Sequence, residues 1–172
     1  TINFLGKAIT LRSSGGADVT TIDATGIGGS VVTCASGEGP DTVIDGFTIT
    51  GGTGTDVGAY TYGGGMYNRL SRPTVVQCTF QYNSAFKGGG VYNQPGGVAT
   101  VGSTVTRCTF RKNTANQGGG IYNFFGRPIV TSCTFNGNTA VWAGGIYNFS
   151  SGASVTNCAF RGNTGSLYGG GV

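Results

Sequence analysis

The chain has 172 residues, of which 35 are glycine and only 4 proline, with 38% hydrophobic and 9% charged residues. No Gly-X-Y period runs through it, which excludes collagen, and hydrophobic residues that recur in register exclude low-complexity disorder. Charge is split: all six acids lie in the first 56 residues beside Lys7 and Arg12, whereas residues 57–172 carry eight bases and no acid. Those bases are scattered and lack the density of a nucleic-acid footprint, so nucleic acid is not an expected partner. No apolar run approaches the roughly 20 residues that span a bilayer as a helix, so membrane insertion by this segment is not expected.

From the N-terminus, Ile2-Asn3-Phe4-Leu5-Gly6-Lys7-Ala8-Ile9 is similar to Tyr122-Asn123-Phe124-Phe125-Gly126-Arg127-Pro128-Ile129 further on. Thr21-Ile22-Asp23 and Val43-Ile44-Asp45 read as one strand in two successive coils. Gly28-Gly29-Ser30-Val31 is an early form of a glycine phrase, and Phe47-Thr48-Ile49 takes a slot filled later by Cys-Thr-Phe. Residues 51–62 read as a loop insert. The regular part then begins with Gly63-Gly64-Gly65-Met66-Tyr67-Asn68. This phrase recurs before Tyr92, Tyr122 and Tyr147 and is cut off at Gly169-Gly170-Gly171-Val172. Between its copies runs Cys78-Thr79-Phe80-Gln81-Tyr82-Asn83, repeated from Cys108, Cys133 and Cys158, at spacings of 30, 25 and 25 residues.

A fixed period in the twenties signals a solenoid. Short segments rich in Thr, Val and Ile alternate in and out, and the glycine runs oppose a helix. The expected fold is an all-β parallel β-helix of about six to seven coils. It forms one domain over residues 1–172, with degenerate acidic coils in 1–56 and regular basic coils in 57–172. Stacking puts like on like. Phe80, Phe110, Phe135 and Phe160 form one inward ladder, and Cys78, Cys108, Cys133 and Cys158 a second. Asn83, Asn113, Asn138 and Asn163 form a polar ladder at a bend, where Asn tolerates a left-handed backbone.

Stacked cysteines have parallel Cβ vectors and suit a reduced core better than disulfides. With no histidine and no Cys-x-x-Cys, neither a metal nor a cofactor is expected, and Ser-His or Cys-His catalysis is excluded. Asp23 and Asp45 are the best enzymatic lead, since stacked carboxylates about 5 Å apart suit a retaining glycosidase, but strand-end turn structure is the plainer account. Tyr67, Tyr92, Tyr122 and Tyr147 follow inward aliphatics and should point outward or sit at a corner, as a column that stacks on itself or contacts sugars. Trp142 interrupts the phrase and is a candidate surface contact. Phe124, Phe125 and Phe149 are candidates for an exposed apolar edge.

At these residues the chain resembles right-handed parallel β-helix repeat proteins. The nearest pattern is the polymorphic outer-membrane-protein repeat, with its Gly-Gly-x-Ile and Phe-x-x-Asn tetrapeptides. Phe80-Gln81-Tyr82-Asn83, Phe110-Arg111-Lys112-Asn113, Phe135-Asn136-Gly137-Asn138 and Phe160-Arg161-Gly162-Asn163 match the latter. The resemblance implies a right-handed helix and a secreted or cell-surface passenger domain with a structural or adhesive role. Three functions are expected in turn: a non-enzymatic structural or adhesive β-helix that self-assembles head to tail into a filament, a glycan-binding module using the Tyr column, and a polysaccharide lyase or hydrolase. The expected partners are the chain itself or flanking coils, and a polysaccharide. The sequence is expected to be a segment of a longer protein or a stacking unit.

Overall fold

The computed structural model describes residues 1–97 and 100–172. Among these, four sheets of six strands each wind around one interior; three take one strand from each coil, and the fourth takes two of its strands from one hairpin. The first sheet stacks Ile2–Asn3, Val32–Cys34, Met66–Arg69, Val91–Gln94, Ile121–Phe124 and Ile146–Phe149. The second stacks Thr10–Arg12, Val43–Asp45, Thr74–Val76, Val101–Thr106, Arg127–Thr131 and Ser154–Thr156. The third stacks Thr21–Asp23, Thr48–Thr50, Thr79–Gln81, Thr109–Arg111, Thr134–Asn136 and Ala159–Arg161. The fourth contains Ser84–Lys87, Thr114–Gln117, Thr139–Trp142 and Thr164–Tyr168, preceded by the strands Thr55–Val57 and Tyr60–Tyr62. The result is a parallel β-helix of six turns.

Strand alternation decides what lies inside. Met66, Val91, Ile121 and Ile146 are fully buried in one column, as are Phe80, Phe110 and Phe135 in another. The phenylalanine rings stack at 5.0, 4.8 and 4.8 Å between centroids, with planes within 7° of parallel. Each buried ring contributes about 2–3 kcal/mol from area alone, and offset stacking adds about 0.5–1.5 kcal/mol. The cysteines are free, and Cys78, Cys108, Cys133 and Cys158 stack one coil apart just before the third-sheet strands. Each thiol donates to the carbonyl two residues back, as Cys78 Sγ does to Val76 at 3.2 Å.

The glycine phrase has two physical reasons. Its first residue turns the chain with a left-handed backbone, as at Gly118 (φ +66°), a bend that also admits Ala143 (φ +51°). Its third lies against a phenylalanine: a Cβ on Gly120 would come within 2.8 Å of the Phe135 ring and 2.6 Å of the Gly145 carbonyl. Any side chain there would push two coils apart.

The Phe-x-x-Asn phrase works differently from the expectation. The left-handed residue is the one before the asparagine: Tyr82, Lys112, Gly137 and Gly162. Asn113 instead points inward. Its Nδ2 donates to Phe80 O at 2.9 Å and to Asn138 Oδ1 at 3.0 Å. Its Oδ1 accepts from both the N–H and the Nδ2 of Asn83 at 3.1 Å. The same network repeats through Asn138 to Asn163. A left-handed non-glycine residue costs about 1–2 kcal/mol, and these bonds offset it. A second interior amide column, Asn68, Asn93, Asn123 and Asn148, runs up the first sheet with Nδ2-to-Oδ1 bonds of 2.8–2.9 Å.

The early coils depart from several sequence expectations. Phe47-Thr48-Ile49 does occupy the Cys-Thr-Phe slot, with Ile49 opposite Phe80. Thr21-Ile22-Asp23 and Val43-Ile44-Asp45, however, belong to different sheets. Asp23 lies opposite Thr50 in the third sheet, whereas Asp45 lies in the second opposite Arg12. The early glycine phrase sits one residue further on, since Val32 rather than Val31 pairs with Met66. Ile2 likewise occupies the slot of Ile121 rather than Tyr122, although Leu5-Gly6 and Phe125-Gly126 make the same pair of left-handed turns. Residues 51–62 form a hairpin, not a loop: Thr55–Val57 pairs antiparallel with Tyr60–Tyr62 across Gly58-Ala59.

Candidate functional site

Outside the first sheet, the residues that alternate with the core column are Tyr67, Tyr92, Tyr122 and Tyr147, in direct register. They face away from the interior. They are not an open surface: Tyr67, Tyr92 and Tyr122 are at most 5% exposed and Tyr147 is half-buried. Their rings stack at 5.6, 5.6 and 5.3 Å. They form a second, external apolar cluster with Tyr62, Phe124 and Ala35.

The cover comes from residues that do not repeat. Tyr62, Lys87, Gln117, Trp142 and Tyr168 succeed one another up the outer edge of the fourth sheet. Tyr62 meets Tyr92 edge-on at 4.9 Å. Lys87 Nζ lies 5.6 Å from the Tyr62 ring and 5.3 Å from the Tyr122 ring. Trp142 packs on Tyr147 at 6.0 Å and Tyr168 at 4.6 Å, which joins it to the tyrosine column. On the other flank Phe124 stacks against Phe149 at 5.5 Å and touches Phe125 at 4.2 Å. Of that trio, only Phe149 is exposed.

This arrangement borders an open-sided cavity of about 210 Å3 lined by Val57, Tyr62, Tyr67, Arg69, Lys87, Tyr92, Gln94 and Phe124. It is smaller than the roughly 300–1,000 Å3 of drug-sized sites and suits a single small ring. Its chemistry is mixed. Four aromatic side chains supply flat walls, and Tyr92 Oη bonds Gln94 Oε1 at 3.1 Å. Two cations enter it and no carboxylate does. Among the described residues the one ion pair is Arg12–Asp45, so Arg69 and Lys87 have no acidic partner. Burial lowers the Lys87 pKa. Burial raises Tyr67, Tyr92 and Tyr122, so the phenols stay neutral donors.

A second, polar hollow of about 770 Å3 lies over the bend between the second and third sheets, beneath residues 13–18. Asp18, Asp45, Arg12 and Arg107 line it, and Asp45 there accepts from Arg12 Nε at 2.8 Å. Asp23 does not line it, so the two aspartates of the enzymatic lead are not brought together. Among the described residues no three His, Cys, Asp or Glu side chains cluster as metal ligands would. The buried acid Glu38 is a structural clasp. Its carboxylate accepts from Gly6 N at 2.9 Å, Ser36 N at 2.8 Å and Ser71 Oγ at 2.7 Å, which ties the first three coils together.

Residues 107–123 match the Chlamydia polymorphic membrane protein repeat. The matched unit runs from the bend at Arg107 through the interior amide of Asn113 to Tyr122 and Asn123. It therefore holds one rung of both amide columns and one tyrosine of the external column. The match covers 17 of the 172 residues, and the repeat is one described from membrane proteins. No curated protein and no solved structure matches the chain.

Sequence reasoning found the tyrosine column and its outward direction and named Phe124 as part of an apolar edge, but missed Val57, Tyr62, Arg69, Lys87 and Gln94. One signal was present: Gly58-Ala59 between Thr-Asp-Val and Tyr-Thr-Tyr is a two-residue hairpin turn with glycine first, flanked by strand formers. That hairpin delivers Val57 and Tyr62.

Proposed function

We propose that the chain is a rigid, non-catalytic segment of a surface-displayed β-helix that binds other surfaces through its outer side chains. The observation that supports this reading is the division of labour within each repeat. Interior residues recur almost unchanged, whereas the residues around the tyrosine cavity differ from coil to coil. A uniform scaffold with local variation on one outer face is what an adhesive rod needs. The test is adhesion of beads coated with the purified chain to epithelial cell layers. Saturable attachment, competed by free chain, supports the reading; attachment no greater than with albumin-coated beads removes it.

End-to-end association is the second reading. Its support is the half-buried state of inward side chains in the outermost coils, Leu11 and Ile22 at one end and Val155 and Phe160 at the other. These would receive either further coils or a second copy. Electron microscopy across a concentration series decides it. Rods that lengthen with concentration support a filament, and particles about 30 Å long throughout, six coils at the strand spacing, oppose it.

A further inference from the structure

We propose that the cavity formed by Tyr62, Tyr92, Phe124, Arg69, Lys87 and Gln94 binds a carboxylated sugar ring, a uronate or sialate unit of an acidic glycan. This inference rests on the adhesive reading and gives it a ligand.

Three observations converge. The walls are aromatic: Tyr62 and Phe124 are partly exposed and offer ring surface to the C–H side of a pyranose, beside the buried Tyr67 and Tyr92. Arg69 and Lys87 both line the cavity without an acidic partner among the described residues, and residues 57–172 contain no acid at all. An anion is therefore the charge the site lacks. Arg69 is exposed, and its planar guanidinium matches a carboxylate bidentately, whereas Lys87 supplies a point charge beside it. Gln94 accepts from Tyr92 through Oε1, which leaves its Nε2 donor to meet a hydroxyl or an N-acetyl oxygen. The volume of about 210 Å3 limits the occupant to one ring. A polynucleotide is disfavoured because the other bases are spread over separate faces rather than aligned with this one.

The test is nitrogen-15 chemical-shift mapping of the 17.4 kDa chain with glucuronate, N-acetylneuraminate, glucose and inorganic phosphate. The expected result is saturable shifts at Arg69, Lys87 and Gln94 with one of the two acidic sugars, weakened by salt, and none with glucose. Which acidic sugar responds distinguishes a uronate-containing polymer from a sialoglycan. Arg69→Ala changes an exposed side chain and leaves the fold alone; it should weaken binding roughly tenfold or more, whereas Arg161→Ala, on the third sheet, should not. Shifts with phosphate equal to those with the acids, binding of glucose, or an unaffected Arg69→Ala would overturn the proposal. The bead assay separates the two levels. Wild-type beads that adhere, with Arg69→Ala beads adhering equally, remove this ligand and leave the adhesive reading. Acidic-sugar binding by a chain whose beads do not adhere removes the adhesive role and leaves the site.

Discussion

Replacing Asn113 by alanine tests how much the interior amides hold the coils in register. Asn113 is fully buried and makes four side-chain bonds: two accepted from Asn83, one donated to Phe80 O and one donated to Asn138 Oδ1. Truncation leaves the Asn83 N–H without its partner and strips one bond each from Asn83 Nδ2, Phe80 O and Asn138 Oδ1. At about 1–3 kcal/mol for a buried polar group deprived of its partner, less for one that keeps a second bond, the cost is about 4 kcal/mol. Urea unfolding followed by Trp142 fluorescence should show it as a midpoint lowered by about 2 M, for a slope near 2 kcal/mol/M. Exchange of the Asn83 amide hydrogen should accelerate as well. Asn163→Ala removes the same chemistry in the last coil, where the side chain is only half-buried and water can replace it, so it should cost about half as much. Thr114→Ala, on the outer face, should change stability by less than about 0.5 kcal/mol. If Asn113→Ala costs under about 1 kcal/mol, the amide column does not set the register and the argument for the Phe-x-x-Asn phrase fails.

Gly118→Ala should cost about 1 kcal/mol, since its Cβ would press on the Ile121 carbonyl but only the local bend has to relax, as it does at Ala143, whereas Gly120→Ala should cost about 3 kcal/mol or prevent folding, because its Cβ would meet the Phe135 ring and the Gly145 carbonyl of the next coil; equal thermal midpoints for the two variants would contradict this. Burial acts to raise the Glu38 pKa, but hydrogen bonds from Gly6, Ser71 and Ser36 outweigh it and hold the group below its ordinary 4.5. A depressed carboxylate contributes stability that is present above the ordinary glutamate range and is lost as pH falls through the lower folded value. Chemical denaturation between about pH 6 and pH 3 should therefore show a steeper loss for wild type than for Glu38→Gln, and parallel curves would refute the clasp. Burial raises the thiols of Cys34, Cys108 and Cys158, whereas hydrogen bonds with Cys108 lower those of Cys78 and Cys133. Access therefore decides the rate: a thiol-reactive dye should label native chain slowly, first at half-buried Cys158, and reach all five cysteines only in urea; rapid labelling at Cys78 or Cys108 would overturn the inward assignment.

What the sequence made legible was the interior. A coil must place the same kind of residue over the same kind of residue, so Phe over Phe and aliphatic over aliphatic are visible as a period, and even the degenerate Phe47-Thr48-Ile49 fell into its slot. The failures lie where that constraint is weak. Thr21-Ile22-Asp23 and Val43-Ile44-Asp45 are alike in residue type, but three residues fit any strand of the solenoid. Their frame is set instead by the neighbouring bend: Gly46 turns the chain into Phe47, so Val43–Asp45 must lie in the second sheet. At the Phe-x-x-Asn bend, asparagine's tolerance of a left-handed backbone was the wrong property to weigh. Its side chain matters more, since the bend buries backbone groups that only an inward amide can satisfy in both directions.

The tyrosine face shows why function was harder to read than fold. Alternation alone gives the outward direction of Tyr67, Tyr92, Tyr122 and Tyr147, and outward ordinarily means exposed. They are buried because each coil adds a different neighbour: Tyr62 from the hairpin, Lys87 in the third coil, Phe124 and Trp142 higher up. Tyr62, Lys87 and Trp142 stand outside the repeated phrases and Phe124 recurs only as Phe149, so no sustained period announces them. A solenoid keeps its interior shape from coil to coil while its exterior is free to vary, and a site for a particular ligand has to be built from the variation. The cavity lies where the hairpin, Arg69, Lys87 and Gln94 depart from the phrase, over a tyrosine column that does not.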